Sequence, residues 1–261
     1  MRIAVLGGGG VVGRHVVDEA RRRGHEAISL SRSSGVDVSS GDGLDEALVG
    51  ADVAIDVTNI ASLRRHTALR YFESSSKHLQ SAALRCAVGH VVVLSIVGID
   101  QVRAVGYYDA KVTQERLHLD GPVPATVLRA TQFHEFALQV ASRATAAGVA
   151  LVPSIRVQTV AARSVAEQLV DAAAAGPHRG RLADVAGPPP PGVLADRTCA
   201  AFERAGRRTK VVSVPPFGSA LEGVREGALL PAADATITGP SFEAWLDGPD
   251  GPATTDGSAA A

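Results

Sequence analysis

The chain has 261 residues, 46% of them hydrophobic, and its 26 Lys+Arg against 27 Asp+Glu leave a formal net charge of −1. That is the composition of one globular domain, or one domain with a small appendage, long enough to bury a sizeable core. The charge balance excludes wholesale binding to nucleic acid or to an anionic membrane, because both need a basic surplus or a basic stripe. Arg21-Arg22-Arg23 is too short a run to supply one and reads as a solvated helix end. Cys86 and Cys199 stand far apart, without partners at disulfide or metal-ligand spacing, and read as buried thiols in a reducing cytosol, so the expectation is a cytoplasmic protein without a metal site. No apolar run reaches the roughly 18 to 20 residues that cross a bilayer, and Met1–Leu6 passes straight into glycines without a signal-peptide continuation. Aromatic residues make up only 4% of the chain while 27 residues are Gly. Such a skew favours close approach of backbone to backbone or to a ligand.

In chain order, five nearly continuous apolar runs, Ile3–Leu6, Ala27–Leu30, Val53–Val57, His90–Ser95 and Ala125–Arg129, alternate with longer helical patterns. This predicts an α/β fold with a doubly wound parallel sheet whose strands are covered on both faces. Val12, Val16 and Ala20 repeat at helical spacing, Arg65 to about Ala87 has the length and Ala/Leu content of a long helix, and another helix follows through His118 until Gly121-Pro122 breaks it. Beyond Val149 the pattern loosens into short strands at Ala150–Pro153 and Arg156–Val160, a helix over Ser164–Ala175, and a strand at Arg181–Ala186. The run Gly187-Pro188-Pro189-Pro190-Pro191-Gly192 is a stiff connector, followed by a helix over Val193–Ala205 and a strand at Lys210–Val214. These later elements are too few for a separate domain. Residues 1–247 are read as one unit, with a substrate-covering lobe drawn mainly from residues 150–247, and 248–261 as a disordered tail.

The first strand ends in Gly7-Gly8-Gly9-Gly10-Val11-Val12-Gly13-Arg14 and the helical pattern begins at once. A turn from strand to helix gathers unpaired N–H groups and the positive end of the helix dipole, which suits a pyrophosphate, and glycines let the backbone approach it. Gly7, Gly9, Gly10, Val11, Val12 and Gly13 are therefore dinucleotide-binding candidates. The second strand ends Ser29-Leu30-Ser31-Arg32, with no acidic residue to take a ribose 2′-OH. Arg32, helped by Ser31, offers a guanidinium fork to a 2′-phosphate, so NADP(H) is preferred over NAD(H). Asp37 and Val38 are placed to flank the adenine. Val57, Thr58 and Asn59 close the third strand, where short polar side chains either bind ligand or cap the next helix.

The fourth strand carries Ser95 near its carboxyl end, and twelve positions later Gly106-Tyr107-Tyr108-Asp109-Ala110-Lys111 opens a helix. Tyr107 and Lys111 are i and i+4 on one face, about 6 Å apart along the axis. An adjacent ammonium favours phenolate and makes a phenol useful for proton transfer near neutral pH, while Ser95 is placed to hydrogen-bond a substrate carbonyl. These features together resemble the short-chain dehydrogenase/reductase superfamily. Leu94-Ser95-Ile96-Val97-Gly98-Ile99-Asp100, the Tyr107–Lys111 segment, Leu128–Phe136 and Asp184-Val185-Ala186-Gly187-Pro188 are similar to its atypical branch of NmrA-like and complex-I-subunit-like NAD(P)-binding proteins. The resemblance runs from Arg2 to about Gly187. It implies a Rossmann fold, Tyr107 as general acid, Lys111 also holding the nicotinamide ribose, Ser95 positioning substrate, and Thr131 and Phe133 against the nicotinamide. Where many members carry Asn-Asn-Ala-Gly, this chain has Asp56-Val57-Thr58-Asn59. His134 has a side chain that titrates near neutrality and is a second acid–base candidate, against the commoner structural role of a histidine that begins a helix.

The function expected from these residues is an NADPH-dependent oxidoreductase acting on a carbonyl or hydroxyl of a small, moderately apolar molecule, as a monomer or homo-oligomer. Two alternatives share the motifs: a non-catalytic NAD(P)-binding redox sensor, and an epimerase or isomerase that uses bound cofactor transiently.

Overall fold

A computed structural model describes residues 1–62, 64–102, 106–139, 145–146, 148–216 and 222–253. The first half alternates strands and helices: β1 (Arg2–Leu6), α1 (Val11–Arg22), β2 (Glu26–Leu30), α2 (Leu44–Leu48), β3 (Val53–Asp56), α3 (Arg65–Arg85), β4 (His90–Ile96), α4 (Gly106–Leu119) and β5 (Ala125–Ala130). There follow β6 (Thr145–Ala146), β7 (Val149–Pro153), β8 (Arg156–Val157), α5 (Ala162–Ala174), β9 (Gly180–Arg181), β10 (Val185–Ala186), β11 (Gly192–Val193), α6 (Leu194–Arg204), β12 (Lys210–Val214), α7 (Glu222–Arg225), β13 (Thr236–Ile237) and α8 (Phe242–Leu246). No helix among the described residues is long and apolar enough to cross a membrane.

The main sheet is parallel throughout, in the order β13-β10-β5-β4-β3-β1-β2, with β9 also paired to β5. Its strands are apolar on both faces because both are covered. Ile3, Val5, Ile55, Val92 and Leu128 pack with Val12 and Val16 of α1 and Val165 and Leu169 of α5. The alternate residues Ala4, Leu6, Ala54, Val91, Val93 and Val127 pack with Leu79, Ala82 and Ala83 of α3. This is the doubly wound Rossmann-type α/β architecture. The two-residue period also assigns side chains: Leu94 packs with the α1/α5 layer, so Ser95 turns to the α3/α4 layer, and Asp56 does the same beside Ile55.

Later elements depart from the sequence pattern in detail. The strand expected at Arg181–Ala186 is two short pieces on one edge of β5: β9 lies beside Thr126 and Val127, β10 beside Ala130. A smaller sheet, β12-β7-β6, packs with α6 through Ala150, Val152, Leu194 and Phe202. The peptide bond Pro189–Pro190 is cis. Neither cysteine is a buried thiol: Cys199 is exposed on α6, and Cys86, just past the end of α3, is half-buried with its thiol 3.3 Å from the Asp45 carbonyl. The beginning of the expected tail makes contacts, since Asp250 pairs with Arg163 of α5 at 2.5 Å; residues 254–261 lie outside the described residues.

Candidate active site

All carboxyl ends of a parallel sheet open on one edge, and a crevice forms where the strand order reverses. Here β2 lies on one side of β1 and β3 on the other, so the reversal falls between β1 and β3. The glycines after β1 and Val57-Thr58 after β3 meet there. Gly7 has φ +82°, and a Cβ on it would come within 3.1 Å of the Val57 carbonyl oxygen and 3.2 Å of the Thr58 nitrogen. On Gly13 a Cβ would overlap the Gly7 carbonyl and lie 2.7 Å from Gly8 Cα, so this glycine lets α1 lean on the turn. Gly9 is exposed and has no atom within 4 Å of an added Cβ. Gly10 caps α1 without a side chain, which leaves first-turn N–H groups for a ligand. The cradle therefore fits the pyrophosphate of a dinucleotide: crowded beneath, open above, with donors and the helix dipole directed outward.

At the end of β2, Ser31 opens a short turn, its N–H donating to Ser34 Oγ at 2.9 Å and its hydroxyl bonded to Ser33 Oγ at 2.8 Å. Arg32 is exposed, and its side chain forms no hydrogen bond or ion pair among the described residues. Asp37 is turned inward on its own loop: its carboxylate accepts from the Ser39 hydroxyl at 2.6 Å and the Ser39 N–H at 2.8 Å, which holds it below the usual carboxylate range. Val38 packs against the α3-side core.

On the α3/α4 side, helix α4 presents Tyr107, Lys111, Gln114 and His118 along one stripe. The Tyr107 hydroxyl donates to Asn59 Oδ1 at 2.7 Å, joining α4 to the end of β3. Thr58 serves Asp56 instead: its N–H and hydroxyl both donate to Asp56 Oδ1, at 2.9 and 2.6 Å. Asp56 is buried, which raises a carboxyl's pKa, yet His118 and Thr58 outweigh that and leave it lowered. Lys111 is buried, donates to the Leu94 carbonyl at 2.8 Å and to Gln114 Oε1, and stands over the Phe72 ring. Burial pushes the ammonium down to about 8 against the upward pull of Asp56 and Glu115. Ser95, next in the chain after Leu94, is buried with no hydrogen-bond partner for its hydroxyl.

After β5, Thr131 donates its N–H to the Val185 carbonyl at 2.9 Å, and its buried hydroxyl also has no partner. Phe133 bridges to Val160 and is half-buried against the α1/α5 core. His134 is structural. Its ring nitrogens meet Thr159 Oγ1 at 2.6 Å and the Pro240 carbonyl at 3.2 Å, and the ring packs on Phe242 and Trp245. Burial pushes it down to about 4, which removes it from acid–base work near neutral pH. Sequence reasoning missed Gln114 and the pairing of Asp56 with α4; the signal was present in the spacing i, i+4, i+7, i+11 of Tyr107, Lys111, Gln114 and His118 on one helix face.

The fold is Rossmann-type, and solved structures of NAD(P)-binding proteins of the extended short-chain dehydrogenase/reductase superfamily share its architecture. A UDP-glucose 4-epimerase of Thermotoga maritima, solved with UDP-glucose, is 15% identical with TM-score 0.66 and covers 90% of both chains. A hypothetical dTDP-4-dehydrorhamnose reductase of Sulfolobus tokodaii is 14% identical with TM-score 0.66, covering 93% of this chain and 98% of that one. The NADPH-dependent quinone oxidoreductase QOR2 of Escherichia coli, complexed with NADPH, is 17% identical with TM-score 0.60, covering 82% and 78%. At such identities the likeness is one of fold. No family model and no curated protein matches the sequence.

Proposed function

We propose that the protein is an NADP(H)-dependent oxidoreductase acting on a carbonyl or hydroxyl of a small, moderately apolar molecule. The observation that carries this reading is the buried, partnerless hydroxyl of Ser95 on the same side of the sheet as α4, whose Tyr107 hydroxyl reaches Asn59 at the end of β3. A buried hydroxyl without a partner costs about 1 to 3 kcal/mol, a cost that a substrate oxygen accepting from Ser95 would remove.

The glycine turn holds the pyrophosphate, Arg32 and Ser31 take a 2′-phosphate, and Val57, Asn59, Thr131 and Phe133 flank the rest of the dinucleotide. When bound, the nicotinamide supplies the hydride chemistry. Tyr107 then turns its hydroxyl from Asn59 to the substrate oxygen and delivers the proton, while Ser95 donates to the same oxygen and polarises it. Lys111 contributes its charge, one helical turn from the phenol, with two of its three hydrogens engaged by Leu94 and Gln114. Holding the ribose as well falls to the third hydrogen. Packing of Tyr108 with Val102, Val224 and Leu229 supplies the apolar wall.

Tyr107→Phe tests the reading. Turnover of a panel of aldehydes and ketones should fall at least about a thousandfold, in line with loss of a general acid, with NADPH affinity unchanged. Normal NADPH binding with no turnover by the wild type on any carbonyl would favour the redox sensor instead. The fold is also shared with UDP-glucose 4-epimerases, and an epimerase or isomerase would use the same residues without net consumption of added NADPH.

A further inference from the structure

The polar contacts behind Lys111 extend further than an acid–base pair requires. An ammonium has three hydrogens. The Leu94 carbonyl and Gln114 Oε1 take two, and Nζ stands 4.9 Å from the centre of the Phe72 ring. Gln114 is fully buried and used at both ends: while Oε1 accepts from Lys111, Nε2 donates to Asp56 Oδ2 at 2.9 Å. Only one orientation of the amide is possible here, because an ammonium cannot accept and a carboxylate cannot donate. A buried carboxylate and a buried ammonium, each costly alone, are thus joined through a neutral amide. The charged and titratable groups around them are few. Asp56 faces His118 at 3.5 Å and lies near Tyr71, and Lys111 faces Asp56 and Glu115, whose carboxylate is paired with Arg129 at 2.8 Å.

We propose that Gln114 is a positioning residue: it holds the Lys111 ammonium beneath Leu94, one turn from Tyr107, and links it to Asp56, whose other oxygen braces Thr58 at the floor of the glycine turn. The charge that tunes the phenol and the turn that holds the pyrophosphate are thereby parts of one buried network. The proposal rests on the reading of Tyr107 and Lys111 as the acid–base pair.

The chain has three lysines, Lys77, Lys111 and Lys210, and Lys77 and Lys210 are exposed. Carbon-13 labelling of the lysine ε-methylenes therefore gives three NMR signals, two of them internal references, with Lys111 assigned by loss of its peak in Lys111→Met. In the wild type, Lys111 should titrate at about 8, well below the ordinary lysine range. Gln114→Leu removes both bonds and should lower the Lys111 midpoint by a further one pH unit or more, about a tenfold change in its proton affinity. Asp56→Asn, which keeps the shape and removes the charge, should lower it in the same direction. A Lys111 midpoint in the ordinary lysine range in the wild type, or one unmoved in a folded Gln114→Leu, overturns the proposal. Because the wild-type titration needs neither variant, a variant that fails to fold does not remove the test. No substrate or turnover enters it, so failure of the acid–base reading shows separately, as unaltered turnover in Tyr107→Phe.

Discussion

His134 and Glu135 are adjacent, both buried, and displaced in opposite directions by the same cause. Burial pushes the imidazole down to about 4 and the carboxyl up to about 7, the latter although it accepts from the Ala162 N–H at the start of α5. Between about 4 and 6.5 the unfolded chain binds the His134 proton more tightly than the folded one, so stability rises with pH across that window. Glu135 works the other way: the folded state holds its proton between about 4.5 and 7, so stability falls as pH rises through that range. The two slopes offset each other over most of the interval. Glu135→Gln should therefore leave the melting temperature at pH 4 nearly unchanged and raise stability at pH 8 by about 3 kcal/mol; thermal melts at the two pH values check it, and an equal shift at both would contradict it. Tyrosines give a second residue-scale prediction. Burial pushes Tyr71 and Tyr108 each up to about 12, so Tyr71→Phe and Tyr108→Phe should each delete an ionisation step near pH 12 in an ultraviolet titration. Tyr107 and Lys111 were legible in the sequence because their relation is local to one helix face. Gln114 stands on the same face, but the reason for its being there is Asp56, 58 residues earlier in the chain, and no local pattern reports such a partner.

At the scale of elements, the turn between β1 and α1 separates glycines that the fold needs from one that its packing does not require. A methyl group on Gly13 meets backbone of Gly7 and Gly8, which cannot give way as a side chain does, whereas one on Gly9 meets nothing. Gly13→Ala should lose about 3 kcal/mol or more of stability. Gly9→Ala should melt like the wild type and bind NADPH at least about tenfold more weakly, the added methyl standing where the pyrophosphate approaches; chemical denaturation and a binding titration separate the two effects. The first five strands were readable to within a residue or so because burial, on both faces for all but the edge strand β2, makes them nearly continuous apolar runs. The short pieces beyond β5 were not. Arg181–Ala186 is interrupted as it passes along β5, and β13 is two exposed residues, Thr236 and Ile237, too short for any period to show.

For the molecule as a whole, alternation of strands and helices announced the layered sheet. Strand order is another matter, since it depends on which side of β1 each crossover returns to, and it is this order that places the crevice between β1 and β3. Positions of Gly7, Thr58, Asn59 and Tyr107 around one opening follow from the order and from the 2.7 Å contact between α4 and the end of β3. If the crevice takes a dinucleotide, folding and binding are linked: NADPH at a hundredfold excess over its dissociation constant should stabilise the protein by about 2.7 kcal/mol. The most direct measurement is calorimetric titration of NADPH and NADH into the wild type and Arg32→Ala. One molecule of dinucleotide per chain, NADPH tighter than NADH, and a ratio that collapses in Arg32→Ala are the results predicted. Saturable binding of neither nucleotide would contradict the dinucleotide reading itself, and a ratio unchanged in Arg32→Ala would contradict the assignment of the 2′-phosphate.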